Sequence, residues 1–234
     1  MAKGTIQNRE DFLANITKRL GREQRPDKLS PPTYKHQPQK KVYQDLSQDD
    51  LVEVLKKICG VINTKVHETD AASLPKVLGT TVDSHGGGPI VTSDDPHFLG
   101  FGLGEFLERK DVHVWDPPRG RENITIAEEA NIGVTFSDIT LAESGTIVSF
   151  SNAGKGRTVS LLPKTHIAVI PKSTIVPRMT QAAQKIHEKV GAGEEVASYI
   201  NFASGPSNSA DIELKSVVGV HGPVRVTYII VKDR

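Results

Sequence analysis

The sequence predicts an α/β fold built on an open, mostly parallel sheet, with an antiparallel extension and an N-terminal helical arm. Three observations carry this expectation. From residue 47 to residue 137, short β-branched or apolar runs alternate with stretches of helical periodicity, the pattern of parallel strands joined by crossover helices. Between 139 and 170, four short apolar runs follow one another with little room for helices, which favours antiparallel pairing. The first 44 residues differ from the rest: one amphipathic stretch, then a basic, proline-rich segment.

Taken in order, Asn8 with Asp11 three residues on is placed as a helix N-cap, and Phe12, Leu13, Ile16 and Leu20 form one helical stripe that stops at Gly21. An isolated helix of this length is marginal in water, so Phe12 and Leu20 need a surface on their own domain or on another subunit. Residues 22–41 carry Pro26, Pro31, Pro32 and Pro38 with six basic and two acidic residues, a composition that favours an extended tether. The globular part, 45–234, opens with Ser47 and Asp50 as a capping signal before Leu51, Val54, Leu55, Ile58 and Ile62 at helical spacing. Strands are expected at 65–68, 89–92, 112–115 and 133–137, with helices around 74–82, 98–108 and 124–130. The antiparallel extension is assigned to 139–142, 145–151, 158–162 and 166–170. Pro177 suits the first turn of a helix bearing Met179, Ala182, Ala183, Ile186 and Val190, which Gly191-Ala192-Gly193 breaks. Residues 224–231, apolar almost throughout, read as a buried final strand.

Composition narrows the partners. With 29 Lys and Arg against 28 Asp and Glu, the net charge of +1 gives no general attraction to nucleic acid or an anionic membrane. The single Cys59 forms no intrachain disulfide and supplies too few thiolates for an iron–sulfur cluster or a thiolate zinc site, so no cofactor is expected in this chain. The polar N-terminus lacks the apolar core of a secretory signal, and no run of about 18 apolar residues offers a membrane span. A cytoplasmic location is the default expectation.

Several motifs fail in informative ways. Gly100-Phe101-Gly102-Leu103-Gly104 is followed by Glu105 where a dinucleotide loop needs its last glycine. Gly154-Lys155-Gly156-Arg157-Thr158 lacks the spacing of a Walker loop. Its two cations still suit a carboxylate or phosphate, Arg157 as a planar fork and Lys155 as a point charge, with a solvated basic turn as the alternative. His85-Gly86-Gly87-Gly88-Pro89 is similar to an esterase oxyanion loop, yet no G-x-S-x-G nucleophile elbow accompanies it.

Three constellations remain. Glu143-Ser144-Gly145, between two apolar runs, presents a carboxylate at a strand edge that suits a base, a nucleophile or a hydroxyl-binding group. Gly205-Pro206 followed by Ser207, Asn208 and Ser209 is expected to expose amides and hydroxyls at the start of a helical turn, a receptor for an anion. Asp211 and Glu213 complement it, on one face if the stretch is extended and diverging if it is helical. His221, between Val220 and Gly222, falls in a loop before the final strand as a base or a hydroxyl partner. Asp211, Glu213 and His221 match no established zinc spacing, so no metal site is assigned. The alternatives are a solvated turn carboxylate for Glu143, a capped turn whose polar groups satisfy one another for 204–213, and a ring that fastens its own loop for His221.

Together, Ala142-Glu143-Ser144-Gly145-Thr146, Leu162-Pro163-Lys164-Thr165-His166, Ser204–Glu213 and Gly219-Val220-His221-Gly222-Pro223 resemble the LUD domain of lactate utilization proteins, over roughly residues 45 to 234. The family's usual motif carries Arg-Thr where this chain has Asn208-Ser209, which removes a charge from the expected anion receptor. The resemblance implies a fold of the NagB/RpiA/CoA-transferase type. It also implies a role in oxidising L-lactate to pyruvate beside two iron–sulfur-cluster-bearing lactate utilization proteins. The chain is then expected to be a non-redox subunit, inactive alone, that binds lactate, a nucleotide-like molecule or a partner; homo-oligomerisation is left open. In the related CoA transferases a Glu-x-Gly turn carries the nucleophile, and Glu143-Ser144-Gly145 is similar to it, so acyl or CoA transfer through Glu143 is the competing enzymatic expectation.

Overall fold

A computed structural model describes residues 5–22 and 32–233, so Pro26 and Pro31 of the expected tether lie outside the described residues. The chain divides into two units after Gln37. In chain order the elements are α1 (Arg9–Arg19), α2 (Pro38–Lys41), α3 (Gln48–Val61), β1 (Thr64–Asp70), α4 (Leu74–Ser84), β2 (Ile90–Thr92), α5 (His97–Gly100), α6 (Gly104–Leu107), β3 (Val112–Val114), α7 (Glu122–Glu129), β4 (Ile132–Phe136), β5 (Ile139–Leu141), β6 (Thr146–Phe150), α8 (Thr158–Leu161), β7 (Thr165–Pro171), β8 (Ile175–Val176), α9 (Met179–Gly191), β9 (Ile200–Ser204), β10 (Asn208–Ile212), β11 (Lys215–Val218) and β12 (Arg225–Lys232). The first unit contains α1, which buries none of its residues; Asn8 precedes it in a left-handed conformation, and its side chain makes no capping bond.

In the second unit, six parallel strands form the central sheet in the order β1-β12-β7-β4-β2-β3. The inner strands are covered on both faces, which is why β7 is buried at every position and reads as an unbroken apolar run from Ile167 to Pro171. Alternation along β7 and β12 sorts the core. Ile167, Val169, Ile229 and Val231 pack with Leu74, Leu78 and Val82 of α4, whereas Ala168, Ile170, Tyr228 and Ile230 pack with Leu51, Leu55 and Cys59 of α3. Ser47 and Asp50 close the expected capping box on α3. A second sheet, β8-β5-β6-β9, is antiparallel except for the β5–β8 pair, and β10 and β11 form a separate hairpin. No helix among the described residues is long and apolar enough to cross a membrane.

Several expectations are corrected. Residues 158–162, read as a strand, form the helical turn α8, and 166–170, assigned to the antiparallel extension, is the parallel strand β7 at the centre of the main sheet. The reason is Gly133: a Cβ there would meet the Val159 carbonyl oxygen at 2.0 Å, so the missing side chain on β4 lets α8 lie directly on the sheet. The expected helix 98–108 is two short helices, parted where Gly102 takes a positive φ of 74°. Pro177 lies just before α9, whose N-cap is Arg178. Residues 38–41 of the tether form the turn α2. Ser207–Ser209 lead into β10 where a helical start was expected, and β9, β10 and β11 had no sequence assignment.

Candidate active-site crevice

The strand order places β2 beside β4, yet β2 leads outward to β3 while β4 is followed on its other side by β7. Chains that leave two neighbouring parallel strands in opposite directions open a crevice at their C-terminal ends, the usual ligand position in open α/β sheets. The residues that follow these strands are Ser93-Asp94-Asp95 after β2 and Ser137-Asp138 after β4. Asp95 is buried, and Lys155 reaches in from the loop 152–157 to bring Nζ to 2.7 Å from Asp95 Oδ2 and 2.9 Å from Asp138 Oδ1. The Asp138 contact is a hydrogen bond, and the Asp95 contact is a close ion pair. Asp95 Oδ1 also accepts from the His97 backbone N–H at 3.0 Å and lies 2.6 Å from His97 Nδ1, and Asp138 Oδ2 accepts from the Phe150 N–H.

Burial by itself raises the Asp95 carboxyl, and the Lys155 ammonium with the His97 N–H outweighs it, leaving the carboxyl below its ordinary range. Burial likewise lowers the Lys155 ammonium, and Asp138 and Asp95 outweigh it, so Lys155 is held as a cation. The cluster is thus a fixed set of three charges at the head of the crevice.

The loop that delivers Lys155 is built to stay in place. Asn152 Oδ1 accepts from the N–H groups of Gly154 and Lys155, both at 2.9 Å; Asp94 N–H donates to the Gly154 carbonyl, and Trp115 Nε1 donates to the Ala153 carbonyl. Gly156 packs against the Trp115 ring, whose atoms lie 2.5 Å from where a Gly156 Cβ would stand. Arg157, next along, is exposed with its guanidinium 5.3 Å from the centre of the Tyr199 ring. The crevice itself has a volume of about 720 Å³, between Phe150, Lys155 and Asp138 on one side and Ile186, Val196 and Ser198 on the other. Sharing Phe150, Ser151 and Lys155 with it is a narrow inner cleft of about 20 Å³, walled by Ser93, Ser149, Arg157, Tyr199 and Asn201.

The sequence-predicted residues fall in three places. Arg157 lines the inner cleft. Gly205, Ser207, Asn208 and His221 line a separate pocket of about 370 Å³, which shares Ser160 and Asn201 with the inner cleft. Ser209, Asp211, Glu213 and Glu143 stand outside both. In the second pocket many polar groups are already engaged: Gly205 N–H donates to Tyr228 Oη, Ser207 N–H to the Pro223 carbonyl, Ser216 Oγ to Asn208 Oδ1, and His221 N–H to Ser207 Oγ. Ser209 Oγ donates to Asp211 Oδ2, which lies 3.8 Å from His221 Nε2. Asp211 lies on β10 and Glu213 in the following turn at a φ of 52°, beside Lys215, so the two carboxylates share no strand face. Glu143 is paired with Arg178, and its loop is joined to the Gly205 turn by Tyr228, whose hydroxyl donates to the Gly145 carbonyl at 2.9 Å.

Asp95, His97 and Asp138 had no sequence assignment. The available signal was positional: an acid within three residues of the end of a short buried strand, Ile90–Thr92 for Asp95 and Ile132–Phe136 for Asp138. Its use requires knowing that the two strands are neighbours.

Comparison with known proteins agrees with this architecture. The LUD domain family matches residues 52–231. Proteins named Lactate utilization protein C are 58% identical in Geobacillus sp. (strain WCH70) and 52% identical in Bacillus subtilis (strain 168), each over the whole of both chains. A crystal structure of a DUF162 family protein from Deinococcus radiodurans superimposes with a TM-score of 0.58 at 20% identity, covering 80% of this chain and 99% of that one, a likeness of fold alone. The chain belongs to the LUD domain family.

Proposed function

We propose that this protein serves lactate utilisation as a ligand-binding subunit whose electron transfer is carried by two iron–sulfur-cluster-bearing partner proteins in the cytoplasm. The observation that carries the ligand-binding part is the Asp95–Lys155–Asp138 cluster, in which Lys155 and Asp138 line an open crevice and Asp95 is buried behind them. One buried charge and two more drawn largely out of water, at the point where an α/β sheet offers a ligand site, are costly to maintain for packing alone. Identity of 52–58% over whole chains to proteins named for lactate utilisation supports the biological role. The dependence on partners rests on the sequence. Removing two electrons from a 2-hydroxy acid needs an acceptor, and the single Cys59 is buried in the core with its thiol pushed up by burial to about 12. Such a thiol is a poor cluster ligand or nucleophile. A transferase acting through Glu143 would first have to break its ion pair with Arg178.

The test is reconstitution. The two purified partners are mixed with L-lactate and an artificial electron acceptor, with and without this chain. Acceptor reduction is expected to fall to background when the chain is omitted. An unchanged rate without it overturns the proposal.

A further inference from the structure

The second pocket, to which the role above gives no occupant, runs along an unused strand edge. β9 pairs with β6 alone and ends the second sheet. Asn201, Phe202, Ala203 and Ser204 of β9 all line the pocket. Successive side chains of a strand point to opposite faces, so a cavity that meets four residues in a row lies against the strand's edge. The ladder fixes which backbone groups stand there. Ser151 N–H donates to the Tyr199 carbonyl, and in the same register Ser149 faces Asn201 and Ile147 faces Ala203. Bonded pairs alternate along an antiparallel ladder, so Asn201 and Ala203 bond to β6 while the N–H and C=O groups of Phe202 and Ser204 turn outward. Neither residue has a backbone partner across that outer edge among the described residues.

Free edges are ordinarily protected by charge, proline or a bulge. β1, which ends the central sheet, follows that rule with Lys65, His67, Glu68 and Asp70. β9, Ile-Asn-Phe-Ala-Ser, has no charge, no proline and an unbroken register. Ser160 and Leu161 of α8 and the turn at Gly222 wall the pocket, and Val226 and Tyr228 of β12 line it from the central sheet. These walls admit a single chain and exclude a second sheet brought up edge to edge. The volume of about 370 Å³ is that of an ordinary ligand pocket. No Lys, Arg, Asp or Glu lines it, so a charged side chain inside would lose its hydration without gaining a counter-charge.

We propose that β9 receives an extended, uncharged segment of a partner polypeptide as a fifth strand of the second sheet. The backbone of Phe202 and Ser204 holds the backbone of the guest, and alternate guest side chains, small or apolar, enter the pocket beside Val226 and Tyr228. This is recognition by strand addition, in which main-chain hydrogen bonds give affinity and a pocket for alternate side chains gives selectivity. It needs nothing from the crevice at Lys155.

The experiment is hydrogen exchange of the full chain, followed amide by amide by NMR, with the peptide Ac-Ser-Val-Ser-Val-Ser-NH2 as probe. Saturating peptide is expected to slow exchange at Phe202 and Ser204 by about tenfold or more, the scale of one added hydrogen bond, and to leave Asn201 and Ala203 unchanged. The same peptide N-methylated at its three central residues is expected not to bind over the same concentrations. Replacing both of its valines by lysine is expected to weaken binding by about tenfold or more. Phe202→Pro removes one outward N–H at a position where an edge strand tolerates proline, and is expected to weaken the unmodified peptide while thermal melting reports a folded chain. Should that variant unfold, the N-methylated peptide still decides. Absence of binding by the unmodified peptide, or equal binding by its N-methylated or lysine form, overturns the proposal. So does protection of Phe202 and Ser204 that rises with protein concentration in the absence of peptide, which gives the edge to a second copy of the chain.

Discussion

Lys155 stands between two acids, and what that pairing contributes to stability can be measured. Its side chain is 13% exposed, that of Asp95 1% and that of Asp138 18%. In Lys155→Met, two carboxylates face one another with no cation between them. Removing one partner of a buried ion pair costs about 3–5 kcal/mol because the remaining charge is left unpaired. The expected result is a fall of that size in unfolding free energy by urea titration. Adding Asp95→Asn and Asp138→Asn to Lys155→Met removes the stranded charges and is expected to restore more than half of the loss. A stability unchanged by Lys155→Met would show that the acids do not depend on this cation. At this same scale the sequence was partly legible. Lys155 and Arg157 stood out as a pair of cations in a glycine-rich loop, but Asp95 and Asp138 are 43 residues apart in sequence, and only the placement of β2 beside β4 joins them. The polar segment 204–213 was conspicuous for composition. The structure spends much of that polarity internally, on Tyr228, Pro223, Ser216 and Asp211.

Among the elements, α8 shows why one strand assignment failed. Thr158-Val159-Ser160-Leu161 has two β-branched residues in four, a composition that suits a strand. Its conformation is decided by a glycine 25 residues earlier, since Gly133 leaves the space on β4 that Val159 occupies. The capping box of α3 and the apolar run of β12 were legible because their causes are local: a side chain bonding its own helix start, and a strand buried on both faces. Register and neighbour choice were not, because they depend on which faces meet. Gly133→Ala therefore tests an element-scale contact. A Cβ at 2.0 Å from the Val159 carbonyl forces α8 off the sheet, and overpacking of this kind costs about 1–3 kcal/mol, with backbone contacts at the upper end. Because α8 follows directly on Arg157, the same substitution is expected to displace Arg157 from Tyr199. A melting temperature equal to that of the parent protein would contradict the contact.

For the whole molecule, two histidines enclosed by the central sheet set how stability responds to pH. His166 on β7 is buried with Nε2 2.9 Å from Thr135 Oγ1, and His85, at the end of α4, is buried with Nε2 2.9 Å from Thr227 Oγ1. Burial pushes both imidazoles down to about 4, from an ordinary 6.5; the charge of Arg225 adds to the effect at His85, and His85 adds to it at His166. Both rings are thus neutral in the folded state over a range where the unfolded chain is protonated. The folded values are depressed, so the unfolded state binds more protons between pH 6.5 and 4, and stability rises with pH across that window. Near pH 5, two such groups give a slope approaching about 2.7 kcal/mol per pH unit. Acids held below their ordinary range, such as Asp95, add a further loss only as pH falls below about 3.8. Urea midpoints measured from pH 7 down to pH 4.5 are expected to fall steeply, and His166→Gln, which keeps a polar group near Thr135 without a titrating proton, is expected to halve the slope. Midpoints that stay level across this range, or a slope unaltered in His166→Gln, would mean that the sheet does not hold these imidazoles neutral.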